Sequence, residues 1–205
     1  YYMPKKNFKT TKKKNTSKSK ITIHQIYGIF DDDVPLKDIK VFNENVIKTI
    51  NYCKKHKIKH QMWNLRGGDT VISVNGKDVK LKSKSCNDLM NKKFKKYLGL
   101  WSNLKKKATV DNPHFNPILA ADFIRYCILH EHGGIYIDCD IHPIPGKFSK
   151  LKTTYNKYPY FFVHWADDKK KLPYNAIMGA SSLNEEIFIE IIEECKKSYN
   201  KNVNK

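Results

Sequence analysis

Asp138 and Asp140 are the residues with the clearest chemical potential in this chain. They follow Ile135-Tyr136-Ile137, a short apolar run that reads as a buried strand, and so stand at its carboxyl end. In an extended chain residues i and i+2 project from one face, which would point both carboxylates the same way and turn Cys139 aside. Two carboxylates about 6–7 Å apart along a strand edge are not buried together without a cation. Hard oxygen ligands select Mn²⁺ or Mg²⁺, and such ions usually hold phosphate oxygens too. Open α/β sheets bind their ligands outside the carboxyl ends of strands, which is where these aspartates lie. Alone, an Asp-x-Asp also fits a turn in which one aspartate caps a loop.

Asp122 and Arg125 lie three residues apart on the helix expected before that strand, and share a face with Leu119, Ile124, Ile128 and Leu129. An ion pair in apolar surroundings costs stability unless something uses it. It is either a structural salt bridge or an acid that accepts sugar hydroxyls beside an arginine that meets phosphate or sugar oxygens. Gly133-Gly134 ends the helix, and Gly134 would let backbone approach a ligand closely.

The elements that must position these groups follow from periodicity. Ile21–Ile29 alternates as a first strand. A helix opens at Asn43 with Val46, Ile47, Ile50 and Cys53 on one face, and Lys59–Trp63 reads as a second strand. This β-α-β start implies a parallel sheet and an α/β fold. Val71–Val74, Asn75-Gly76 and Lys77–Leu81 form a hairpin expected to decorate the sheet rather than build it. One long helix should follow, burying Leu89, Met90, Phe94, Tyr97, Leu98, Trp101 and Leu104. Asn116 and Pro117 start the next helix, which runs over Ile118–Glu131. Strands at Tyr160–Val163 and near Ala176–Gly179 and a helix over Asn184–Lys197 complete the reading.

The 205 residues suit one domain, with 40% hydrophobic and 12% aromatic residues excluding wholesale disorder. No apolar run is long enough to span a bilayer. The net charge of +19 points first to nucleic acid or another polyanion. Of 39 basic residues, however, only Arg66 and Arg125 are arginine, the residue of base and bidentate phosphate recognition. Twelve lysines sit in residues 1–20 and 196–205, which carry no acid and read as basic tails around a domain at 21–195. Starting at Tyr1, the chain reads as a piece of something longer. Five cysteines without a CxxC pair suggest a reducing, cytoplasmic-type compartment, or a lumenal domain of a membrane-anchored protein. Cys53, His56 and His60 fall at helical spacing but offer zinc only three ligands, so an ordinary helix face is expected. His130 and His132 point apart on a helix and read as polar surface.

The stretch Ala121-Asp122-Phe123-Ile124-Arg125-Tyr126, then His132-Gly133-Gly134-Ile135-Tyr136-Ile137-Asp138-Cys139-Asp140, resembles the DXD sugar-binding region of glycosyltransferase family 32. Fungal α-mannosyltransferases belong to that family, and clostridial toxin glucosyltransferase domains are similar. Ile23–Gly28 resembles the family's first strand, Met62-Trp63-Asn64 its second, and Asn175–Ala180 the later donor-site strand. The resemblance implies a GT-A (Rossmann-like) fold and a metal-dependent, anomer-retaining transferase using a nucleotide sugar. UDP-hexose is favoured over GDP-mannose; the acceptor is an unspecified glycan, protein or lipid, and nucleic acid is not expected. Carried across, Asp122 and Arg125 would hold the donor sugar, and Tyr27 would stack on the base. Asp138 would touch ribose and sugar, and Asp140, with Asp138, would hold Mn²⁺ or Mg²⁺. Gln25, Gly134 and Asn175 complete the expected substrate-binding set.

Tyr27 stands where the family commonly has an indole, and Lys20 where it has proline. The family's His- or Trp-containing tail has no counterpart after Asn175, leaving His142, His164 or Trp165 as substitutes. Three rival readings remain. In a haloacid dehalogenase-type phosphohydrolase, Thr or Val would stand at His142. The others are a basic polyanion-binding module and a donor-binding domain that no longer transfers.

Overall fold

Thr22–Ile26 (β1) is the strand around which the sheet is built. In the computed structural model, which describes residues 21–29, 34–106, 117–144, 146–164 and 173–203, it pairs in parallel with Lys59–Asn64 (β2) and with Gly134–Ile137 (β5). Helix α1, Lys40–Lys55, makes the crossover between β1 and β2. The β-α-β expectation therefore holds, and the paired aspartates follow a central strand.

Gly68–Val74 (β3) and Lys77–Ser85 (β4) form the expected hairpin around Asn75-Gly76, both at positive φ. It does not merely decorate the sheet. Ser83, Lys84 and Ser85 of β4 pair in parallel with Met62, Trp63 and Asn64 of β2, so the hairpin supplies one flank. On the other side Pro173–Ala180 (β7) pairs antiparallel with β5, and Tyr160–His164 (β6) closes the edge. The order is β3-β4-β2-β1-β5-β7-β6. Its four-strand parallel centre carries antiparallel strands on both flanks, a more mixed sheet than expected.

The single long helix divides into α2, Cys86–Lys93, a 3₁₀ turn over Lys95–Tyr97, and α3, Leu98–Leu104. Phe94 leaves helical geometry (φ −123°, ψ 38°), which lets it meet His130 edge-on while Tyr97 and Trp101 pack on Phe123. The buried face was correctly placed; its continuity was not. Helix α4, Pro117–His132, lies in this core with Phe123 through Leu129 all buried. Lys147–Lys157 (α5), not anticipated, covers the opposite face with Phe148 and Tyr155. The last helix, Glu186–Val203 (α6), runs beyond Lys197, so residues 196–203 are helical where a basic tail was expected. Helices α2, α3, α4 and α6 cover one face of the sheet, and α1 and α5 the other. Asn116, Trp165 and residues 1–20 lie outside the described residues. No described helix is long and apolar enough to cross a membrane.

Candidate active site at the carboxyl end of β5

Helix α4 must turn sharply into β5. Gly133 (φ 59°) and Gly134 (φ 91°) make that turn, and the Gly133 N–H closes the helix on the Leu129 carbonyl at 2.9 Å. A Cβ on Gly134 would lie 2.5 Å from the Thr22 carbonyl oxygen and 2.8 Å from His24 Nε2. The requirement for glycine thus has a cause in β1 behind it. His24 completes the corner. Its Nε2 lies 3.1 Å from the Gly133 carbonyl and its Nδ1 accepts from the Trp63 indole N–H at 3.1 Å.

Arg125 is 4% exposed and organises the site. Its Nε donates to the Ala121 carbonyl at 3.1 Å and Nη1 to the Asn175 carbonyl at 2.9 Å. Nη1 also lies 3.3 Å from Asp138 Oδ1, and Nη2 2.8 Å from Asp122 Oδ1. Two guanidinium hydrogen bonds and two ion pairs thereby hold the group, and the cation stacks 4.7 Å from the centre of the Tyr136 ring. The Asn175 side chain donates to Asp122 Oδ1 at 3.0 Å, and the Tyr136 hydroxyl to Asp138 Oδ1 at 2.5 Å. In each carboxylate Oδ1 is committed to this network, while Oδ2 makes no hydrogen bond among the described residues. Burial raises the pKa of both Asp122 and Asp138, opposed chiefly by the positive charge of Arg125. Burial works against the charge on Arg125, but Tyr136, Asp138 and Asp122 together hold its pKa above the usual value.

The two aspartates of the motif differ in their surroundings. The ladder ends at Ile137, and Asp138-Cys139-Asp140 forms a turn closed by the Ile141 N–H on the Asp138 carbonyl at 3.1 Å. Cys139 Sγ donates to the Ile26 carbonyl at 3.3 Å, which draws it inward. Asp138 faces Arg125, while Asp140 is exposed and its carboxylate has no partner among the described residues.

The remaining expected residues fall in two places. Asn175, on β7, joins the network directly. Tyr27 lies beyond β1 in a cavity of about 380 Å³ lined also by Gly28, Asn64, Arg66, Asp69 and Thr70, so the hairpin forms one wall. Its ring meets Phe42 edge-on, and its hydroxyl donates to the Val34 carbonyl. Gln25 is fully buried: it donates to the Asp138 carbonyl at 3.3 Å and its Oε1 pairs with His60 Nε2 at 3.0 Å. It therefore braces the turn instead of lining open space, a correction to its expected contact with substrate. His60 belongs to β2 and not to α1, which separates it from Cys53 and His56. His132 packs on Trp63 at 5.2 Å between ring centres and is half-buried. Tyr136 and Asn45 were not singled out. Tyr136 sits inside the motif, whereas one asparagine on a helix carries no sequence signal.

The family model described as "Glycosyltransferase sugar-binding region containing DXD motif" matches residues 5–156. The chain belongs to that family. The mixed α/β sheet with helices on both faces is a GT-A-like architecture, as the resemblance implied. No curated protein and no solved structure matches the chain. Membership supports a glycosyltransferase-type function, and the family implies a nucleotide-sugar donor and an acceptor. Asp122, Arg125, Asp138 and Asp140 lie inside the matched region, and Asn175 beyond it.

Proposed function

We propose that this glycosyltransferase moves a hexose from a nucleotide sugar, UDP-linked in preference to GDP-linked, to an acceptor hydroxyl with retention at the anomeric carbon. The observation that carries the reading is the Arg125 network, which fixes Asp122 and Asp138 through Oδ1 and, among the described residues, leaves both Oδ2 atoms and the whole Asp140 carboxylate to a ligand.

Asp122 Oδ2 would accept sugar hydroxyls, while Asn175 and Arg125 keep the carboxylate from rotating. Asp138 would do the same at the ribose and sugar. The aromatic and polar lining of the Tyr27 cavity suits a nucleoside, and it lies at the carboxyl ends of β1 and β2. The donor set fits a hard divalent cation. Exposed Asp140 and the outer oxygen of Asp138 are oxygen ligands, and Mg²⁺-type sites commonly combine one or two carboxylates with substrate phosphates and water. When bound, Mn²⁺ or Mg²⁺ would supply Lewis-acid neutralisation of the leaving diphosphate. With Asp122 Oδ2 given to sugar hydroxyls and Asp138 to ribose and sugar, neither network carboxylate is assigned as a nucleophile toward the anomeric carbon. Front-face attack by the acceptor, with the departing phosphate taking its proton, is the step that agrees with retention.

Thermal shifts with UDP- and GDP-sugars, with and without Mn²⁺, followed by donor hydrolysis, test this. A UDP-hexose at about 100 times Kd adds about 2.7 kcal/mol, which is roughly 5–10 °C for a domain this size. Asp140→Ala should remove the Mn²⁺-dependent part. No stabilisation by any nucleotide sugar, or metal-dependent binding that survives Asp140→Ala, would sink the proposal; binding without hydrolysis or transfer would identify an inactive domain.

A further inference from the structure

Helix α1 carries two asparagines on its buried side, Asn43 and Asn45, each 7% exposed. A primary amide in apolar surroundings is costly unless both its ends are paired. Asn43 meets that condition on the hairpin, donating to the Ser73 carbonyl at 2.9 Å and accepting from the Ser73 N–H at 2.8 Å. Asn45 meets it on the segment that follows β5. Its Nδ2 donates to the Asp140 carbonyl at 2.8 Å, and its Oδ1 lies 2.9 Å from His142 Nδ1.

A carbonyl oxygen only accepts, so the Asp140 contact fixes which end of the amide is nitrogen. Oδ1 is then the acceptor for His142, and the imidazole must carry a proton on Nδ1 to make that bond. The rest of the turn is held from β1 and β7: Asp138 through Gln25 and through its own N–H on the Ala176 carbonyl at 2.9 Å, and Cys139 through the Ile26 carbonyl. Among the described residues no hydrogen bond other than that from Asn45 reaches Asp140.

We propose that Asn45 is a positioning residue: it tethers the main chain of Asp140 to α1 and so sets where the exposed carboxylate points. Its importance for metal and diphosphate rests on the function proposed above; the tether itself does not.

The test uses the whole chain with Asn45→Ala, Asn45→Asp and His142→Ala. Asn45→Asp can still accept from His142 but cannot donate to Asp140, whereas His142→Ala leaves the Asp140 bond intact. Amide hydrogen exchange without ligand should quicken roughly five- to tenfold over residues 138–144 in both Asn45 variants. The change should be confined to that segment and stay under about twofold in His142→Ala. Nitrogen NMR of the wild type should show the His142 proton on Nδ1. Mn²⁺ titration in the presence of UDP should weaken by a similar factor in the Asn45 variants. Exchange that is unchanged, or that rises evenly across the sheet, overturns the tether; so does a His142→Ala effect as large as that of Asn45→Ala. If the wild type binds no Mn²⁺ with UDP, the metal reading fails, and the exchange result still decides the tether by itself. If Asn45→Ala does not fold, Asn45→Asp decides.

Discussion

Acidification should destabilise this domain through His24, and the size of the effect can be worked out. The ring is fully buried, Nε2 donates to the Gly133 carbonyl, and Nδ1 accepts from the Trp63 indole. A second proton would have to sit on Nδ1 facing another N–H. Burial first, then the neighbouring His132, push its pKa down from 6.5 to about 3, with Lys84 and His60 adding to the shift and the Gly133 carbonyl opposing it. Above pH 6.5 both folded and unfolded chains hold His24 neutral, and it makes no difference to stability. Below 6.5 the unfolded chain takes up a proton that the folded one refuses, so stability falls until the pH nears 3. At pH 5 that lost stability is about 2 kcal/mol, from about 1.4 kcal/mol per pH unit over one and a half units. Urea denaturation of the wild type and of His24→Gln at pH 7.5, 6 and 5 isolates this contribution. The glutamine can still donate to Gly133 but does not titrate, so the stability gap between the two proteins should narrow by about 2 kcal/mol between pH 7.5 and 5. A gap constant to within about 0.5 kcal/mol would refute the reasoning, since that is ordinary scatter for additive effects.

Arg125→Met leaves two half-buried carboxylates without their cation and should cost up to about 3 kcal/mol, the low end for a fully buried pair, read as a fall in the urea midpoint. Gly134→Ala drives a Cβ to 2.5 Å from the Thr22 carbonyl at φ 91°, so a loss above about 2 kcal/mol or failure to fold is expected in a thermal melt. Asp140→Asn, by contrast, changes an exposed carboxylate without a partner among the described residues; its melting behaviour should stay within about 0.5 kcal/mol of wild type while Mn²⁺-dependent nucleotide binding is lost. Asn43→Ala leaves both polar groups of Ser73 unpaired and should cost about 1–3 kcal/mol in the same melt.

Much of the site was legible because its residues are adjacent in sequence. The spacing of Asp122 and Arg125 and the two glycines at the end of α4 each have a local cause, and the pair forms as expected at 2.8 Å. The i, i+2 argument for Asp138 and Asp140 assumed an extended strand, but the ladder ends at Ile137 and a turn follows. What ends the ladder is tertiary: Cys139 is drawn to the Ile26 carbonyl of β1. The role of β4 was hidden for a similar reason. Its lysines at 77, 80, 82 and 84 read as a solvated hairpin, yet the backbone at Ser83–Ser85 pairs with β2, and backbone pairing leaves no mark on side-chain pattern. Helix α5 had a readable signal in Phe148, Leu151 and Tyr155, spaced along one helical face. Asn45 had none, since its partners lie about 95 residues away.

The placement of β1 at the centre of the sheet has a consequence for synthesis. Ile23 pairs with Ile135, and the intervening chain must leave the ribosome before that contact can exist. At about 5–20 residues per second, β1 waits roughly 5–20 s with one edge open. During that interval it can pair with β2 but not with the strand that carries the aspartates. The candidate site is therefore among the last parts of the molecule to be assembled, and a nascent chain has no Arg125 network to hold until β7 has followed β5 into place.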